Sequence, residues 1–411
     1  MLNFPLVSAQ WNFDELQVKP FHLPNALTLE NGKKIITEKE WWKLRRPEIL
    51  LFFQNEVYGK TPTKRLGVSY KISSIDKNAL GGKATRKEIR VTFRNGRKSL
   101  SMDILLYIPN AAQRVPLFLG MNFDGNQSVS NDSTISITNS WVDNDKRFGI
   151  IDNRANEKTR GSQQRRWPIE KIIARGYAVA TIYYGDLDPD FDDRFQNGIQ
   201  PLFYYNGQTK PAPNEWGAIG AWAWGLSRAL DYFETDKQID ASKVMVQGHS
   251  RLGKAALWAG AQDERFAMVI SNNSGCAGAA LSKRNFGEDI KTVNNAFPHW
   301  FCANFKKYND NEASMAYDQH ELIALIAPRP VYVTSAQDDL WADPKGEFLS
   351  ALFAGEVYKL LGKSGLPVTE QPDIHQPVMG TTGYHIRAGK HDVTDYDWEQ
   401  YMNFADKCFM K

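Results

Sequence analysis

The chain has 411 residues, 42% of them hydrophobic and 24% charged, with a formal net charge of +3. That length buries a large core, as one elaborated α/β domain or two smaller ones. The charge is too nearly balanced to mark a nucleic-acid binder, three cysteines make no disulfide framework, and no apolar run is long enough to span a bilayer.

The first ten residues carry Val7-Ser8-Ala9, which has the small residues of a signal cleavage site but no full apolar stretch before it. The expectation is the end of a truncated export signal, and with it a secreted or periplasmic protein. An ordinary chain terminus is the alternative. Residues 38–58 predict a helix, with Trp41, Trp42, Leu44, Ile49, Leu50, Phe53 and Val57 at near-helical spacing and Pro47 interrupting it. Residues 67–73, 88–94 and 99–108 read as antiparallel strands, and 116–122 as a central strand. The rhythm then becomes β-α-β. A helix at 168–175 precedes a strand at 177–183, and a helix at 216–235 precedes a strand at 243–247. Further strands fall at 266–271, 330–335 and 384–387, and further helices at 319–326, 345–361 and 395–409. Strands alternating with helices imply a mostly parallel sheet with right-handed crossovers, so functional groups belong after the carboxyl ends of the strands.

Gly248-His249-Ser250-Arg251-Leu252-Gly253-Lys254 follows the strand at 243–247 and opens a helix. A serine at such a turn is the nucleophile elbow of an α/β hydrolase. Leu252 stands where the second glycine of G-x-S-x-G is usual, and Gly253 comes one step later. A helix N-cap serine would occupy the same place. A serine hydroxyl needs a base, and the base needs a carboxylate. His391 follows the last predicted strand and is the expected base. His249 points the wrong way on an elbow, and His299, His320, His375 and His385 fit the topology less well. Asp338 and Asp339 compete as the acid in the loop after the strand at 330–335; Asp392 and Asp395 sit too near His391 in the chain. The order Ser, Asp, His is that of α/β hydrolases. The fold class is therefore α/β: an α/β-hydrolase three-layer α-β-α sandwich, with a mostly parallel central sheet and antiparallel N-terminal strands. Residues 1–37 form an N-terminal extension packing on a single catalytic domain over 38–411.

The run Asp186, Asp188, Asp190, Asp192, Asp193 is similar to the start of a calcium loop, but Phe191 and Asn197 replace its glycine and glutamate. It reads as a loop and helix-capping stretch, and no metal-ligand spacing of His and Cys occurs. Twelve Trp and sixteen Tyr suit core packing, with some left to face sugar rings.

With these residues in place, the chain resembles the glucuronoyl esterases, carbohydrate esterases that cleave lignin from glucuronoxylan. Their elbow reads G-C-S-R-x-G-K or, in bacteria, G-H-S-R-x-G-K. Met121-Asn122-Phe123-Asp124-Gly125-Asn126, Asn273-Ser274-Gly275, Arg284-Asn285-Phe286-Gly287-Glu288, Ala327-Pro328-Arg329-Pro330, Asp339-Leu340-Trp341-Ala342-Asp343 and Gly389-Lys390-His391-Asp392 are similar too. The resemblance implies Ser250 as nucleophile, His391 as base, Arg251 at the oxyanion, and Lys254, Glu288 and Trp341 on the sugar. Many members carry the acid as glutamate in E-S-G, where this chain has Asn273. Some bacterial relatives place an acid two residues before the tryptophan, which here is Asp339. The implied reaction is serine-type hydrolysis of the ester between 4-O-methyl-glucuronic acid and a lignin alcohol, with no cofactor and no metal. The partner is a glucuronoxylan or lignin-carbohydrate ester, met by a monomer without nucleic acid or membrane. An acetyl xylan esterase and an inactive carbohydrate-binding homologue are the alternatives.

Overall fold

The computed structural model describes residues 11–111 and 113–409; the export-signal reading of residues 1–10 lies outside them. Ten strands form one sheet: β1 (Gly67–Asn78), β2 (Ala84–Asn95), β3 (Lys98–Pro109), β4 (Val115–Asn122), β5 (Ala178–Tyr183), β6 (Ile239–His249), β7 (Met268–Asn272), β8 (Val331–Ala336), β9 (Val378–Met379) and β10 (Thr382–Arg387). The spatial order is β1-β2-β3-β5-β4-β6-β7-β8-β10-β9. β1, β2, β3 and β5 pair antiparallel in succession, whereas β5, β4, β6, β7, β8 and β10 run parallel.

Strand residues alternate between two cores because successive side chains leave opposite faces of a pleated strand. Leu117, Leu119, Val244, Val246, Val269, Val331 and Val333 point to one face. Phe118, Met245, Met268, Ile270 and Tyr332 point to the other. The helices bearing on the first face are α1 (Arg46–Glu56), α3 (Ala218–Phe233), α4 (Arg251–Gln262), α5 (Gln319–Ala324), α6 (Pro344–Phe353) and α7 (Gly355–Leu360). The second face is covered by α2 (Ile169–Ala174) and α8 (Asp395–Phe409), through Ile172, Ile173, Trp398, Tyr401 and Phe404. Helices on both faces of a mostly parallel sheet give the expected three layers.

Two elements differ from expectation. Pro47 does not interrupt the helix at 38–58. A π-helical turn over Trp41–Arg45, closed by the Arg46 N–H on the Trp41 carbonyl, precedes it, and Pro47 lies in the first turn of α1. A proline there surrenders only an N–H that the wider turn already leaves unused. The helix at 345–361 is broken into α6 and α7 where Gly355 meets Gly365; a Cβ on Gly365 would stand 2.9 Å from the Gly355 Cα.

The register fixes the site. His249 pairs with Asn272, Asn272 with Thr334, and Ala336 with Arg387. The loops that carry Ser250, Asn273, Asp339 and His391 therefore leave the sheet at one rim.

Candidate active site

Ser250 links β6 to α4 with φ 58° and ψ −130°, a left-handed conformation that a non-glycine residue adopts only under local constraint. The constraint is the fold of α4 back over its own strand. A Cβ on Gly248 would lie 2.0 Å from the Leu252 carbonyl oxygen, and one on Gly253 would lie 3.0 Å from the Gly248 oxygen and from Ser274 Cβ. The close approaches thus fall at 248 and 253. Leu252 is 1% exposed and belongs to the core, which explains why no glycine is needed there. The Ser250 N–H donates to the Asn272 carbonyl (2.9 Å), tying the elbow to β7. Ser250 is half-buried and so reachable from solvent.

His391 Nδ1 lies 2.6 Å from Asp339 Oδ2. The imidazole is exposed and the carboxylate buried. The same Oδ2 accepts a bond of 2.7 Å from Asn273 Nδ2. Asp338 is exposed and donates only its backbone N–H, to the Gly389 carbonyl. The His391 ring packs on the His249 ring, next in the chain to Ser250, with centroids 4.4 Å apart. His249 Nδ1 is engaged by Asn272 Oδ1 at 2.6 Å. Burial, with His391 alongside, pushes the His249 imidazole well below its ordinary range, so that ring stays neutral.

The loop that presents His391 is clamped from beneath. Arg387, at the end of β10, donates to the carbonyls of Ala388 (3.0 Å), Lys390 (3.0 Å) and Asp392 (2.5 Å). Its Nε is held by Asp397 at 2.8 Å. From outside, Arg165 and Arg166 pair with the Asp392 carboxylate. Sequence reasoning missed this clamp, since an arginine inside a buried strand signals nothing until its carbonyl partners are known.

Arg251 opens α4. Its guanidinium pairs with Asp190 and lies over the Trp300 ring at 4.9 Å and the Phe297 ring at 5.4 Å, two rings stacked 3.8 Å apart. Asp190 also accepts from His299 Nε2 (2.9 Å), Trp300 Nε1 (2.7 Å) and Tyr184 (3.1 Å). Burial raises the cost of its charge, yet the His299 hydrogen bond and Arg251 outweigh it and hold the carboxyl down at about 2. The aspartate run is therefore not a capping stretch. Asp186, Asp188 and Asp190 are buried, and Asp190 anchors Arg251. The signal that could have found it is position: the run follows the carboxyl end of β5, where functional groups are expected.

Lys254, one turn into α4, is buried, and its Nζ donates to the Ser274 and Cys276 carbonyls (both 2.7 Å) and stands 3.6 Å from Glu288 Oε2. The Glu288 N–H donates to the Trp341 carbonyl (3.0 Å). Lys254, Glu288 and Trp341 thus form one connected group, with Trp341 exposed at its outer edge.

Glu347 of α6 lies behind Asn273-Ser274-Gly275. Its Oε1 accepts from the Ser274 N–H (2.7 Å) and the Gly275 N–H (3.0 Å), and its Oε2 from Ser335 Oγ (2.6 Å). Burial pushes its carboxyl up to about 8 despite these bonds, and the Asp339 charge adds to the rise. A carboxyl raised above its unfolded value of about 4.3 keeps its proton in the fold, so its contribution to stability falls as pH rises from about 4.3 to 8. Glu347→Gln lacks that slope. Between pH 5 and pH 8 its Tm is expected to gain steadily on that of the wild type; a difference that is flat or of opposite sign would mean Glu347 is ionised throughout.

Among the described residues, no group of three or more His, Cys, Asp or Glu side chains is placed to hold a metal ion. Cys276 and Cys302, both buried, are free thiols.

A family model described as glucuronyl esterase of fungi matches residues 173–362. Carbohydrate esterase MZ0003, of an unknown prokaryotic organism, is 51% identical over 397 residues, which cover 96% of this chain and 91% of that protein. Among solved structures, a promiscuous CE15 esterase from a marine bacterial metagenome superposes with a TM-score of 0.92 at 50% identity, covering 97% of this chain and all of that one. The glucuronoyl esterase from Solibacter usitatus superposes with a TM-score of 0.91 at 49% identity, covering 96% and 100%. Likeness at this level runs over nearly the whole chain and extends to the fold, and the chain belongs to the glucuronoyl esterases, a family of carboxylic ester hydrolases.

Proposed function

We propose that this enzyme hydrolyses the ester between a 4-O-methyl-glucuronoyl group of glucuronoxylan and a lignin alcohol, with Ser250 as nucleophile, His391 as base and Asp339 as acid. The observation that carries the reading is the 2.6 Å contact between His391 Nδ1 and Asp339 Oδ2, on two loops that leave the sheet at the rim where Ser250 sits. With Nδ1–H donated to Asp339, Nε2 is the free acceptor. It takes the Ser250 proton as Oγ attacks the ester carbonyl, and Asp339 stabilises the imidazolium that forms. His391 then protonates the departing alcohol, and water releases the uronic acid by the reverse proton path.

The tetrahedral oxyanion falls to the Arg251 backbone N–H and guanidinium. A charged donor binds an oxyanion more strongly than a neutral one, and Asp190 with the Trp300 and Phe297 rings fixes its position. Lys254, Glu288 and Trp341 hold the uronate ring. Arg251→Ala is expected to lower kcat by about 10²–10³, the usual loss of one oxyanion donor, with KM changed far less. Steady-state kinetics on benzyl glucuronate checks it, and a purely KM effect would assign Arg251 to substrate binding.

The half-buried serine and exposed imidazole leave the rim open to a polymer-borne ester, and no described helix is long and apolar enough to cross a membrane. The open rim fits action on cell-wall material, and the proposal places the enzyme outside the cell or in the periplasm, as a monomer. The test is turnover of benzyl glucuronate and of acetylated xylan at equal ester concentration. A clear preference for the uronate ester is expected; preference for the acetate would make the enzyme an acetyl xylan esterase.

A further inference from the structure

Trp341 is not alone at the outer edge of the site. Trp11 meets it edge-on with ring centroids 5.0 Å apart, and Phe13 lies 6.3 Å from it. All three rings are substantially exposed: 44% for Trp11, 44% for Phe13 and 36% for Trp341. Large aromatic rings clustered in solvent are a poor arrangement for a surface with no ligand.

The segment that brings Trp11 and Phe13 here is built into the domain. Trp11 Nε1 donates to Thr292 Oγ1 (2.9 Å), the Gly287 N–H donates to the Asn12 carbonyl (2.8 Å), and Arg284 Nη2 donates to Glu15 Oε1 (2.7 Å). Arg284 is itself anchored through Nε on Asp343 Oδ2 at 2.9 Å. Gly287 has φ 66°, and a Cβ there would stand 2.5 Å from the Leu340 and Trp341 carbonyl oxygens. That glycine thus lets one short strip of chain touch both the N-terminal segment and the Trp341 turn. The rings run continuously into the proposed uronate site, because the next residue, Glu288, donates its N–H to Trp341.

We infer that Trp11 and Phe13 extend the site into a second carbohydrate subsite, which takes a neutral pyranose of the xylan chain that carries the uronate. This rests on the substrate class proposed above. The chemistry favours a sugar. Pyranose rings present apolar C–H faces that pack on the electron-rich faces of aromatic rings. The polar Asn12 and the exposed Asn285 border the same strip for hydroxyls. Trp11 and Phe13 carry no charge, which suits an uncharged xylose better than a second uronate.

The test uses the full chain and two readouts. Xylohexaose binding, followed by titration calorimetry, needs no ester chemistry. It is expected to weaken about tenfold for each of Trp11→Ala and Phe13→Ala, the loss appropriate to one aromatic contact. In parallel, KM is measured for benzyl glucuronate and for the same benzyl ester carried on a xylo-oligosaccharide. The rise in KM for the oligosaccharide ester should exceed that for the monomer ester by about the same factor. Unchanged xylohexaose affinity, or an equal KM rise on both esters, would overturn the subsite and leave the two rings as mere support for Trp341. A larger effect of the benzyl than of the methyl monomer ester would overturn it too, by assigning the rings to the alcohol. Inactivity of the wild type on glucuronate esters would defeat the proposed function while leaving the xylohexaose result to stand or fall alone.

Discussion

Ser250→Ala is expected to lower kcat on glucuronate esters by about 10⁶-fold, leaving only what positioning and the oxyanion donors supply. The magnitude follows from the chemistry. Without Oγ there is no acyl-enzyme, and water must attack a carbonyl that the site did not evolve to present to it. At about 1.36 kcal/mol per decade, the loss is about 8 kcal/mol of transition-state stabilisation. The fold should tolerate the change. The strain at φ 58° belongs to the backbone and survives the loss of Oγ, and the elbow is held by Gly248, Gly253 and the Ser250 N–H on Asn272. Retention of more than about a thousandth of wild-type kcat, in protein with an unchanged Tm, would remove Ser250 as nucleophile.

Asp339→Asn is expected to cost about 10⁴ in kcat, or about 5.4 kcal/mol, with little change in KM. Two donors converge on Asp339 Oδ2, from His391 and from Asn273. An amide at 339 can turn its oxygen to satisfy them, but it no longer carries the charge that stabilises an imidazolium. If instead its NH₂ faces the imidazole, the ring is left in the wrong tautomer. Asp338 provides the contrast. It is exposed, and the carboxylate paired with His391 is that of Asp339, so Asp338→Asn should stay within a few-fold of the wild type. A loss in Asp338→Asn with activity kept in Asp339→Asn would reverse the assignment.

Asn273 makes sense in the same terms. The resemblance read from the sequence implies a glutamate there in many members of the family. Here its amide lies 2.7 Å from Asp339. A second carboxylate so close would repel the first and raise the pKa of one of them, which would spoil the acid for its work. A neutral donor at 273 instead steadies Asp339, the acid proposed from the later loop.

Much of this was legible in the sequence, and the reason is periodicity and order. Apolar runs such as Val244-Met245-Val246 and Val331-Tyr332-Val333, short and rich in β-branched residues, read as buried strands, and a parallel sheet brings the loops after its strands, with Ser250, Asp339 and His391, to one rim. What stayed hidden depends on contacts across the fold. Asp190 reads as one aspartate among five until Arg251, His299 and Trp300 are seen to converge on it. Arg387 reads as the end of a strand until its carbonyl partners appear. Glu347 falls within the predicted helix at 345–361 with nothing to mark it, yet it is fully buried behind Asn273-Ser274-Gly275. Asp338 and Asp339 compete on position alone, and only the resemblance favours Asp339; the loop's conformation adds that Asp339 is buried against His391 while Asp338 is exposed.

The central claim is that Ser250 is an activated nucleophile in a site that acts on uronate esters. The most direct measurement is labelling with a fluorophosphonate, which reacts only with an activated serine, followed by mass spectrometry of the peptides. The account predicts one adduct per chain, on the peptide holding Gly248–Lys254, formed in step with loss of benzyl glucuronate hydrolysis and absent from Ser250→Ala. An unlabelled Ser250 in protein that still hydrolyses the ester, or an adduct on another serine that abolishes activity, would contradict it.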